Sequence, residues 1–148
     1  MEQMDQFTNG WLAHRRVLDQ LLERVSDDQL SFQPWEGAMT LRDLMLHIVQ
    51  SGESFSKALK TGTMHRADKV EVQTVADLRR IVKETTERTE GVLRSLTESD
   101  LSRQFERFGS GQAILTTIKD HEVHHKGQLF VYVRLLGTND MPFFVSRG

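Results

Sequence analysis

Residues 119–129 read KDHEVHHKGQL, and His121-Glu122-Val123-His124-His125 within them meets the pattern H-E-x-x-H. On a helix this pattern presents two imidazoles to one metal ion, with a carboxylate beside the first. Residues four apart lie one turn apart on the same face, so the ring nitrogens of His121 and His125 can converge at about 2.0–2.1 Å from an ion. With His125 as origin and about 100° per residue, Ile114, Ile118, Leu129, Tyr132 and Leu136 fall within roughly 40° of it. That spacing predicts the pair in the middle of an apolar stripe. Two neighbouring buried imidazoles leave ring nitrogens to satisfy, and a metal satisfies both. Glu122, about 60° away on the wheel, is a candidate general base. The structural alternative is a flank carboxylate paired with Lys119 or Lys126.

A third ligand has to come from another helix. His47, in LRDLMLHIVQSGESFSKAL, lies at the edge of a face made by Leu41, Leu44, Ile48, Phe55 and Leu59. Asp43 and Ser51, one turn to either side, offer the space and hydrogen-bond partners that an open metal site needs. His14, in the stripe of the first helix between Trp11 and Leu18, is the rival, as a ligand or as a buried histidine with a local partner. His65, in GTMHRADK, reads as surface. Gln128 is placed to hydrogen-bond near the site, Gly127 to admit a close helix neighbour, and Thr85 and Thr89 to line a polar cavity or bond back to their own helix. Arg134 falls on the opposite side. The chain has no cysteine, so the ligands are nitrogen and oxygen, and Zn²⁺ or Ni²⁺ suits three imidazoles.

Four periodic segments must hold these residues. The first runs over about residues 4–25. The second follows the N-cap Thr40 to about Lys60, the third opens at Thr74, and the fourth runs from about Gln112 to Leu136 and stops at Gly137. VEVQTV (70–75) allows a short strand, and Thr97 caps a short helix before Arg107. SDDQLSFQ (26–33) echoes TESDLSRQ (97–104), each ahead of a segment with a core histidine. The connections 26–39, 61–73 and 97–111 are long enough, at about 3.3 Å per residue, to run the length of a helix. The reading is a single all-α domain over residues 1–148, a four-helix bundle with long connections and a metal site between helices.

The chain of 148 residues has 38% hydrophobic and 27% charged residues, net charge −2, pI near 6.3 and mean hydropathy −0.44. This balance gives no reason to expect nucleic acid or an anionic membrane as partner. Without cysteines, a long apolar run or a leader-like N-terminus, the expected location is cytoplasmic. The zinc-protease class does not fit. Its longest motif continues with Gly and His where Gln128 and Val131 stand, no Glu follows Glu122, and no sheet edge is predicted to align a peptide.

HEVHHKGQLFVYVRLLG resembles the last helix of the DinB-like (DinB/YfiT-type) bundles, with their HxxxHHxGQ pattern followed by apolar residues, an Arg and a Gly. Lys126 stands where Arg is common. TLRDLMLHIVQSGESF after QPWEGAM resembles that family's first ligand segment. The resemblance implies His47, His121 and His125 as the metal triad, an up-down-down-up four-helix bundle, a homodimer, and Zn²⁺, Ni²⁺ or a similar ion. It implies thiol S-transfer using a low-molecular-weight bacterial thiol, or hydrolysis of a small molecule. The alternative is a non-catalytic, stress-responsive metal-binding bundle with a closed fourth position.

Overall fold

A computed structural model describes residues 1–148. Helix α1 (Glu2–Leu22) is followed by a single 3₁₀ turn at Asp27–Gln29, α2 (Leu41–Thr61) and α3 (Val75–Ser95). A short α4 (Glu98–Ser102) and a two-residue antiparallel ladder, β1 (Gln104–Phe105) with β2 (Gly109–Ser110), lead into α5 (Gly111–Leu135).

Local chemistry sets the helix ends. The hydroxyls of Thr40, Thr74, Thr97 and Ser110 each accept a hydrogen bond from the backbone N–H three residues on, satisfying a donor that the helix leaves free. Gly62, at φ +85°, closes α2 in the left-handed conformation that glycine adopts without strain. The paired sequence echoes occupy like places: Ser26 caps the 3₁₀ turn and Thr97 caps α4. VEVQTV is not a strand. Residues 62–73 form no helix or ladder, and its last residue is the first residue of α3.

Cross-helix pairs give the topology. Arg79 bonds Asp19 and Arg94 bonds Asp5, so α1 and α3 are antiparallel. Arg88 bonds Glu53 and Lys60 bonds the Ser95 carbonyl, so α2 and α3 run parallel. Trp11 and His14 meet Glu122 and Lys126, so α1 and α5 run parallel, whereas His47 near His121 and Phe55 near Phe108 make α2 and α5 antiparallel. The four long helices therefore form an up-down-down-up bundle. The 62–74 connection must return along about 30 Å of helix, which 13 extended residues span.

The apolar core is split in two. One cluster takes Val17 and Leu21 of α1, Met45 and Ile48 of α2, Leu78 and Val82 of α3, and Leu129 and Val133 of α5. The other takes Met4 and Trp11, Leu59, Leu93, and Ile114 and Ile118 from the opposite ends of the same helices. Between them each helix contributes buried polar side chains: Arg15, Ser56, Thr85 with Thr89, and Glu122 with Lys126. No helix is long and apolar enough to cross a membrane.

Candidate metal centre

His47 on α2 and His121 and His125 on α5 meet at the seam of these antiparallel helices, on the rim of the polar layer. Each offers one ring nitrogen, and these atoms all lie within 4.8 Å of one another. His47 Nε2 is 3.0 Å from His121 Nε2. The three rings meet edge to face, with centroids 4.4–4.8 Å apart. Two nitrogens bound tetrahedrally at 2.0–2.1 Å stand about 3.3 Å apart, so the His47–His121 spacing is within a few tenths of an ångström of that geometry, while a separation of up to 4.8 Å within the triad requires a ring to swing inward. His125 Nδ1–H donates to Gln128 Oε1 at 2.6 Å, which fixes the tautomer and leaves the Nε2 lone pair free. Ser51 Oγ stands 3.5 Å from His47 Nδ1, too far for a strong hydrogen bond.

The electrostatics favour the neutral form of the His47 and His121 rings. Burial, then the proximity of His125 and His47, lowers His121 to a pKa of about 4. Burial and then His125 lower that of His47. Neutral imidazoles present lone pairs, as a ligand must, and no carboxylate belongs to the cluster. The donor set therefore fits a borderline divalent ion and leaves its charge uncompensated by the protein.

Other sequence expectations are redistributed. The buried sector of α5 is centred near Glu122, not His125. Ile118, Glu122, Lys126, Leu129 and Val133 face inward, and the two ligand candidates lie on the flank, half-buried. Glu122, 1% exposed, accepts from Arg15 Nε and Nη2 at 2.8 Å and from Trp11 Nε1 at 3.3 Å. Its lone pairs are committed to α1. Neither a general base nor a flank pairing with Lys119 or Lys126 matches this placement. Arg15, also 1% exposed, donates further to Thr86 Oγ1 at 3.0 Å.

His14 stays away from the triad. Its Nδ1 accepts from Lys126 Nζ at 2.6 Å, and Lys126 also donates to the Phe144 carbonyl, tying the C-terminal tail to α5. Burial lowers Lys126 to about 8 against the pull of Glu122. His124 is exposed beside His125, and His65 lies on the 62–74 connection. Thr85 accepts from Arg88, Thr89 Oγ1 has no protein partner, and Arg134 lies over the Phe130 ring at the surface. A Cβ on Gly127 would meet nothing within 4 Å, so no helix of this chain approaches there.

Arg15 was not singled out in the sequence and Lys126 was expected only as a flank partner of Glu122, so the interior placement of both is a finding of the structure. A signal existed: Met4, Thr8, Trp11, Arg15, Leu18 and Leu22 follow each other at spacings of three and four, and all are buried.

The DinB family model matches residues 1–147. The uncharacterised protein YjoA of Bacillus subtilis (strain 168) is 37% identical over 153 residues, covering 99% of each chain. The crystal structure of that DinB-like protein superposes with a TM-score of 0.84, covering 97% of this chain and 99% of the other. A DinB-like protein from Bacillus cereus ATCC 10987 shares the fold at 19% identity, with a TM-score of 0.74 over 97% of this chain and 95% of the other. A matching family model over nearly the whole sequence, a close full-length relative and the shared bundle agree: the chain belongs to the DinB family.

Proposed function

We propose that this chain is a metal-dependent enzyme acting on a small molecule, with Zn²⁺ or Ni²⁺ held by His47, His121 and His125, and that its chemistry is S-transfer from a low-molecular-weight thiol. The observation that carries this reading is the convergence of three imidazoles from two helices without a carboxylate. A divalent ion supplies Lewis acidity there, which favours the deprotonated form of a thiol or water bound to it. The chain's own residues hold the rings: Gln128 orients His125, and packing of α2 against α5 sets His47 against His121. Thiol transfer is favoured over hydrolysis because Glu122, the carboxylate that directly follows His121, is engaged by Arg15 and is not free to activate water. The non-catalytic alternative needs a closed fourth position, and His14, its candidate, is bound to Lys126 instead. Pairing of two copies belongs to the same proposal; exposed Val123, Val131 and Leu135 on α5 supply a surface for it.

The test is elemental mass spectrometry on untagged protein purified without chelator, beside His47→Ala and His125→Ala. Near-stoichiometric Zn or Ni in the wild type, lost in both variants, is the expected result. A folded wild type that refuses both added ions sinks the metal reading. Loaded protein is then assayed for consumption of small thiols with a chromogenic electrophile. Bound metal without turnover of thiols or esters would favour the non-catalytic alternative.

A further inference from the structure

A groove of about 590 Å³ opens beside the triad, between α2 and the 62–74 connection. His47 and Ser51 line one end; Phe55, Met64 and Phe108 line the other. That volume is in the range of about 300–1,000 Å³ typical of small-molecule sites. Phe55 lies eight residues beyond His47 on the same helix, so the groove runs about 12 Å away from the triad. Phe108, 45% exposed on the turn between β1 and β2, meets the Phe55 ring edge to face at 5.6 Å and 85°. Such a corner leaves ring faces open to a third aromatic or alkyl group, and the exposed Met64 borders it with an adaptable thioether.

The opposite wall carries charge. Arg66 and Lys69 line the groove and enter no ion pair or side-chain hydrogen bond of the structure. Asp68 is the one acid of the lining, and its main-chain carbonyl accepts from Gln50 Nε2 at 3.1 Å. Two free cations facing an aromatic corner complement an anion with an apolar body.

Resting on the metal-centre reading, we propose that this groove determines specificity: the substrate is an anionic small molecule whose reacting group lies at the His47 end and whose aromatic or branched-alkyl body lies on Phe55 and Phe108. Phe108 and Phe55 are specificity-determining residues, and Arg66 and Lys69 receive the negative charge.

Two titrations test this. In Co²⁺-loaded protein, visible absorption follows the binding of acetohydroxamate and of a hydroxamate bearing a phenyl ring on a three-carbon arm. The phenyl compound binds about tenfold tighter to the wild type, and the advantage disappears in Phe108→Ala and shrinks in Phe55→Leu, while acetohydroxamate binds all three alike. An equal preference in wild type and both variants overturns the proposal. In metal-free His47→Ala protein, 8-anilinonaphthalene-1-sulfonate fluorescence reads the groove without the ion, and adding Phe108→Ala or Arg66→Ala weakens its binding several-fold. Unchanged dye affinity in both overturns the proposal. A wild type that takes up no cobalt, with dye binding still sensitive to Phe108 and Arg66, refutes the metal centre and upholds the groove's selectivity.

Discussion

Arg15 and Glu122 face each other across α1 and α5 as a two-pronged ion pair, both contacts at 2.8 Å and both side chains 1% exposed. Trp11 and Thr86 fill further hydrogen-bonding positions on the two groups, so the pair links three of the four long helices in the layer that separates the two apolar clusters. Gly52 makes room for it: a Cβ there would lie 3.1 Å from Arg15 Nη2. Removing one partner strands a buried charge. Arg15→Met and Glu122→Gln are each expected to lower unfolding free energy by about 3–5 kcal/mol, and the double variant Arg15→Met/Glu122→Leu to recover much of it. Urea midpoints of the metal-free proteins check this. A Glu122→Gln protein of unchanged stability that loses turnover would restore Glu122 as a base.

On the proposed metal reading, Gln128 sets the affinity through His125. Its Oε1 accepts the Nδ1 proton, so the free lone pair is the one facing His47 and His121. Such outer partners typically affect affinity by 10–100-fold, so Gln128→Ala is expected to weaken Zn²⁺ binding by about that factor without unfolding the protein. Competition against a chromophoric chelator measures it. Gln128→Glu, which keeps the acceptor and adds charge, should bind at least as tightly as the wild type. Equal weakening in both variants would mean that the contact matters only as packing.

The helices were legible because their ends carry local chemistry: Thr40, Thr74 and Thr97 cap the helices they were expected to cap, and Gly62 and Gly137 follow the ends of α2 and α5 at positive φ. The three histidines were legible because spacing of four residues fixes a helix face and the α2 apolar pattern places His47 at its edge. The true centre of the α5 stripe was not. Glu122 and Lys126 point inward because residues more than 100 positions away neutralise or hydrogen-bond them, and no local pattern on α5 records Arg15 or His14. Residues 70–75 allow a short strand by alternation, but no second strand lies beside them to take up their backbone hydrogen bonds.

His14 makes acid destabilising. Burial first, then Lys126 and Lys119, holds its pKa below the ordinary 6.5, with Glu122 working the other way. The unfolded chain therefore binds more protons than the folded one as pH falls through that value, and stability declines with acidification. His47 and His121, also lowered, act in the same direction. Chelator-treated wild type is expected to lose more of its urea midpoint between about pH 7.5 and about pH 5.5 than His14→Asn, which keeps an acceptor for Lys126 and does not titrate. Equal losses would assign the whole dependence to the other imidazoles.

Gly111 and Gly127 lie on the same helix and should respond oppositely to alanine. At Gly111 a Cβ would come within 2.5 Å of the Asp100 carbonyl oxygen and 2.9 Å of the Leu101 backbone, so α4 or the start of α5 would have to move. Overpacking against backbone is expected to cost about 1–3 kcal/mol. At Gly127, exposed in mid-helix and open for 4 Å around, alanine removes only the entropic cost of glycine and should stabilise the monomer by about 0.5–1 kcal/mol. Because the structure gives Gly127 no neighbour, the same substitution also reads the outer face of α5. If two copies pair there by close helix contact, Gly127→Ala shifts the sedimentation equilibrium toward monomer while raising the monomer's urea midpoint. A raised midpoint with unchanged association would mean that no close helix contact between copies forms at Gly127.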